Sequence, residues 1–210
     1  TAEMNAKQKF LTVTAVWIAL SMVLSLLGVF QVFSGLPKGI ISVVNKLVMM
    51  FCFIVLLTSS APRWHKAARL GIATYIVGLI GSLVKIYVEG NNLLHDALPE
   101  QAFAALTHIS VFNILYLTLG FATYYRISQL AKQGSLLRFS ALMMAWCPLL
   151  IYLVFLSAAI TRGRFLWGMS MGSLYLVSSF LSVVISHLFL IFVVLFLRKE
   201  LLVSKTGNNE

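Results

Sequence analysis

Charge is scarce in this chain, and acid scarcer still. Of 210 residues only 10% are charged, and just six are Asp or Glu, whereas soluble domains carry about 25% charged residues. A soluble fold of this length would lack the polar side chains needed to cover its surface. Cys52 and Cys147 are the only cysteines, which excludes a disulfide-rich secreted scaffold. Proline is confined to Pro37, Pro62, Pro99 and Pro148, and glycine to 13 positions, too few for a collagenous chain. Glycine-rich phosphate loops and HExxH helices are missing as well.

What abounds is apolar sequence, 60% of the chain. A bilayer core about 30 Å thick takes about 20 apolar residues of helix to cross. Six runs qualify: 10–33, 40–58, 67–88, 102–127, 139–160 and 172–197. Each is apolar all round and none alternates as a β-barrel strand does. The pattern predicts an all-α integral membrane protein, a six-transmembrane-helix bundle in one polytopic domain over residues 1–210. Its loops are short. The first run is too long for a signal-peptide core and lacks a small-x-small cleavage site after Phe33, so it reads as a retained anchor. Pro37, Pro62 and Pro99 fall between runs. Pro148 lies inside the fifth, where it should kink the helix and release a carbonyl near Met144.

The net charge of +10 first suggests nucleic acid. Placing the charges removes that reading. Lys7, Lys9, Arg63, Lys66, Arg69, Arg126, Lys132, Arg138, Arg198, Lys199 and Lys205 all fall on one side of the predicted topology, eleven of sixteen basic residues. The positive-inside rule then places both termini in the cytoplasm, N-in and C-in, in a plasma (inner) membrane. The partners implied are membrane lipids, anionic ones included. Tyr124 and Tyr125 on one side, with Tyr87, Trp167 and Tyr175 on the other, read as interfacial belts. The amphipathic outer segments 91–101 and 165–169 read as sticky surfaces for the membrane or a partner protein.

Small residues recur at helical spacing: Thr74, Gly78 and Ser82; Ser178, Ser182 and Ser186; Ser21 and Ser25. Such rows read first as close helix packing, with a polar path as the alternative. Ionisable groups inside the runs are Lys46, Lys85, His108 and His187, with Asn45 and Asn113 as polar neighbours. No Asp or Glu lies well inside a run. Proton- or sodium-coupled transport normally relies on buried carboxylates, so this absence argues against it. By helical rise, Lys46 and His108 lie roughly 9 Å below the outer edge, Lys85 roughly 5 Å and Asn113 roughly 16 Å. With Arg162 and Arg164 at the outer surface, Lys46, Lys85, His108, Asn113 and Asn45 are the candidate ligand-binding set, a basic outer-leaflet pocket for an anion. The bland alternative is that each lysine snorkels singly, with Lys85 pairing with Glu89 one turn on.

No cofactor or metal is implied. His108 and His187 differ in depth by roughly 13 Å, which is poor for a haem clamp. Glu89, His95, Asp96, Glu100 and His108 match no zinc spacing. Three functional readings follow. The first is binding or transport of an anionic amphiphile, a lipid headgroup or a carboxylate. The second is a non-catalytic accessory or scaffold subunit of a larger membrane complex, or a homo-oligomer. The third is a small intramembrane enzyme using His108 or a Cys147/His187 pair.

Overall fold

The computed structural model describes residues 2–30, 36–90, 99–160 and 171–206. All the regular structure there is helical: α1 (Ala2–Val29), α2 (Leu36–Ser59), α3 (Pro62–Gly90), α4 (Pro99–Leu130), α5 (Leu136–Ile160) and α6 (Met171–Thr206). The three inter-run prolines open helices. Pro62 and Pro99 are the first residues of α3 and α4, and Pro37 the second of α2. At those positions the missing N–H has no helical acceptor to lose. Several helices outrun the apolar segments that announce them; α6 continues to Thr206 through Arg198, Lys199 and Glu200. Charge ends a membrane-compatible stretch without ending a helix, because Lys, Arg and Glu are good helix formers.

Among the described residues, five helices are long and apolar enough to cross a membrane: those in α1, α2, α3, α5 and α6. The fourth expected span, 102–127, is helical throughout, but its described part carries Asn113, Tyr116, Thr118, Thr123, Tyr124 and Arg126 and is not one of the five. These features make the chain a helical bundle of integral-membrane character.

The helices pack as a closed ring in chain order. α1 contacts α2, each next helix contacts its successor, and α6 returns to α1, with a minor contact from α2 to α6. Opposed pairs fix the direction of neighbours. Gly39 meets Ile86, Ser42 meets Ser82, Gly78 meets Lys46 and Gly71 meets Phe53, so α2 and α3 run antiparallel. Gly81 against Phe112 and Thr74 against Thr123 do the same for α3 and α4. The α4–α5 connection turns through Gly134 at φ +72°, a conformation that suits a residue without Cβ.

The apolar core occupies one end of this ring. Leu11, Phe53, Leu56, Trp64, Ile127, Leu137, Val194 and Leu197 belong to one buried cluster, and these residues lie toward the ends of the helices nearest both termini. Toward the other end the helices separate around a cavity. Met49, Tyr75, Tyr124, Met144 and Ala145 belong to both, so the packed core forms the cavity floor. Tyr124 therefore corrects the belt reading: it is 3% exposed and its hydroxyl meets that of Tyr75. Its neighbour Tyr125 is 40% exposed, as a belt residue should be. One helical residue step rotates a side chain by about 100°, enough to separate the two environments.

Candidate functional site

The cavity encloses about 530 Å³, and all six helices line it. Its wall is largely apolar, with hydroxyls and amides set into it. Ser25 comes from α1, Ser42, Asn45 and Lys46 from α2, and Thr74 and Tyr75 from α3. Asn113 and Tyr116 come from α4, Tyr152 from α5, and Ser179, Ser182, Ser186 and His187 from α6. Along α6 the lining runs from Ser179 to Leu190, about 16 Å at helical rise. Volumes of this order suit a small ligand or a lipid headgroup.

Among the described lining residues, Lys46 is the one Lys or Arg. Its Nζ donates to Ser42 Oγ at 2.7 Å, and the ammonium stands 5.6 Å from the centre of the Tyr116 ring. Ser42 in turn bonds Ser82 across the α2–α3 seam at 3.2 Å. Space for this arrangement comes from Gly78 on α3. A Cβ there would lie 2.6 Å from Tyr116 Cδ2 and 3.0 Å from Lys46 Cε. The small-residue row of α3 thus serves both purposes, since Thr74 lines the cavity while bonding Thr123 at 2.9 Å.

In the sequence no Asp or Glu lies well inside an apolar run, whereas Lys46 does. The six carboxylates are Glu3, Glu89, Asp96, Glu100, Glu200 and Glu210. Glu89, the nearest along α3, is eleven residues beyond Gly78, about 16 Å up the helix. Among the described residues, this ammonium with three donors meets one hydroxyl and one aromatic face.

Asn45, one residue earlier, is fixed by α1. Trp17 Nε1 donates to Asn45 Oδ1 at 2.7 Å. An indole N–H is donor only, so the amide oxygen is the bonded end and the NH2 is left for the cavity. Lys46 and Asn45 thus present donors side by side.

Of the candidates read from sequence, Lys46, Asn45 and Asn113 meet in the cavity wall. Lys85 does not line it, although its charge acts on Lys46. The side chain of His108, and Arg162 and Arg164, lie outside the described residues, as do 91–98 and 165–169. Cys147 donates its thiol to Met143 Sδ at 3.6 Å on its own helix and is not part of the lining that His187 joins. Pro148, inside α5, and Met144, one turn before it, both line the cavity.

Several lining residues carry no sequence signal as a site. Tyr116 and Tyr152 look like ordinary span aromatics, and the α6 serine row looks like packing. The available hint was that Ser182 and Ser186 share a face with Ser179 and adjoin His187.

Fold and site together define a class: a helical bundle of membrane-spanning composition, plugged at one end and holding toward the other a largely apolar cavity with hydroxyls, amides and Lys46 set into its wall. Comparison of the chain with protein-family models, characterised proteins and solved structures gives no match.

Proposed function

We propose that this is a six-span integral membrane protein that binds an anionic amphiphile, a lipid headgroup or a carboxylate, in its central cavity and moves or presents it. The observation that carries this reading is Lys46, a cation in the cavity wall with no Asp or Glu among the described lining residues. A charge held inside the bundle and not met by an opposite charge is costly. A ligand anion meeting the ammonium removes that cost, and the neighbouring Asn45 amide adds a second donor. In this reading Lys85, His108, Arg162 and Arg164 form the outer approach and Asn113 a further polar contact.

Orientation belongs to the proposal too. The bias of Lys and Arg toward one set of loops supports cytoplasmic termini and a plasma membrane location. The plugged end then faces the cytoplasm and the cavity the outer leaflet. A packed floor supports binding from one side, with any passage needing the core cluster to part.

The test is an equilibrium titration of the detergent-solubilised protein with a short-chain anionic lipid and its zwitterionic analogue. Saturable binding of the anionic lipid alone is expected. A charge-assisted hydrogen bond contributes about 1.5–3 kcal/mol, so Lys46→Met should weaken binding about 10- to 100-fold. Equal affinity for the two lipids, or no effect of the substitution, contradicts the proposal.

A further inference from the structure

A second wall of the cavity has the opposite hydrogen-bonding sense. His187 on α6 holds its Nδ1 2.7 Å from the carbonyl oxygen of Val183, one turn earlier on the same helix. A carbonyl can only accept, so Nδ1 carries the hydrogen, and Nε2 of the neutral ring is a bare acceptor. Nε2 has no partner among the described residues, and His187 lines the cavity. Ser182 and Ser186, from the same wall, bear hydroxyls that can donate or accept.

The α2 wall is fixed by the same elementary logic with the sign reversed. Trp17 bonds the side-chain oxygen of Asn45, so its NH2 is the end left over, and Lys46 has donors only. One cavity therefore offers donors from α2 and an uncommitted acceptor from α6. A simple anion satisfies the first and leaves the second empty. A simple amine does the reverse.

We infer that the cavity recognises an anion that also carries hydroxyl groups, with the acid group on Lys46 and Asn45 and a ligand hydroxyl donating to Nε2 of His187. This deepens the anion reading above and rests on it. The ligand class is a hydroxylated phosphate or carboxylate, whether a polyol-phosphate lipid headgroup or a free polyol phosphate. The 530 Å³ volume accommodates either kind of head. His187 is then a specificity-determining residue whose polar role is binding.

The experiment compares two probe pairs on the full chain. Glycerol 3-phosphate against propyl phosphate tests the soluble source; short-chain phosphatidylglycerol against phosphatidylpropanol tests the lipid source. Within each pair the charge is shared and the hydroxyls differ. A hydroxyl preference of about five- to tenfold is expected in at least one pair, the size of one hydrogen bond. A preference confined to the soluble pair identifies a free polyol phosphate, and one confined to the lipid pair a headgroup. His187→Leu should bring the ratio to about one without weakening the hydroxyl-free probe, while His187→Gln, which keeps an acceptor, should retain part of it. In the unsubstituted protein, the 15N resonance of His187 Nε2 should move when the hydroxylated probe is added and stay when its analogue is. No hydroxyl preference in either pair, a ratio unchanged by His187→Leu, or an unmoved Nε2 resonance overturns the inference. If the wild-type chain binds no anionic probe, or Lys46→Met binds them equally well, the anion reading itself fails, and the two failures are told apart.

Discussion

Trp17 donates its indole N–H to the side-chain oxygen of Asn45 at 2.7 Å, tying α1 to α2 and deciding which end of the Asn45 amide is left over. Trp17→Phe keeps the ring and removes the donor. Hydrogen bonds between membrane helices contribute about 0.6 kcal/mol on average and up to about 1.7, so a thermal-shift assay should show a small loss of stability. The Asn45 amide is then free to turn, and affinity for an anionic lipid should fall with it. Unchanged affinity would mean that Asn45 does not face the ligand.

Gly78 and Gly120 make a matched pair of tests. A methyl at Gly78 would crowd Tyr116 and Lys46, whereas at Gly120 it would meet only Thr74 Cγ2 at 3.7 Å, an ordinary contact. Gly78→Ala should cost about 1–3 kcal/mol through overpacking and displaced side chains. Gly120→Ala should be neutral or stabilising, since Gly is about 1 kcal/mol worse than Ala in a helix. Unfolding midpoints in a single detergent rank the two.

The turn between α4 and α5 depends on backbone alone. Gly134 has φ +72°, with nothing within 4 Å of a Cβ built there. Gly134→Val should lose about 1–2 kcal/mol from the left-handed conformation, and Gly134→Asn distinctly less. Equal midpoints for the two variants would show that the turn is made differently.

The two thiols differ in environment. Cys52 is 4% exposed within the apolar core, whereas Cys147 is only partly buried on α5. N-ethylmaleimide should label Cys147 in the folded detergent-solubilised protein and reach Cys52 only on denaturation. Mass spectrometry of the peptides reads the outcome. Early labelling of Cys52 would contradict the packed end of the ring.

The helices themselves were legible because apolar length and proline position report them directly: Pro62 and Pro99 begin helices, and Pro148 stays within one. Which face of a helix looks inward was not. A span apolar all round carries little amphipathic signal, so packing alone decides that Tyr124 is buried while Tyr125 faces out. The serine row of α6 shows the same limit, since close packing and a polar wall have one sequence signature. Lys46, Asn45 and Asn113 could be found because polar side chains inside an apolar run are costly wherever they point. His187 could be seen as unusual, but its role as an acceptor depends on the Val183 carbonyl and on a ring closed by α1 against α6.

Native mass spectrometry after mild extraction tests the central claim, an anion held at Lys46, most directly. The wild-type chain should carry about one anionic amphiphile per protein, as a one-to-one site requires, and lose it when ionic strength is raised. Lys46→Arg should keep the adduct, whereas Lys46→Met should arrive without it while remaining helical and monodisperse. A bare wild-type protein, or an adduct carried equally by Lys46→Met, would contradict a ligand anion at this site.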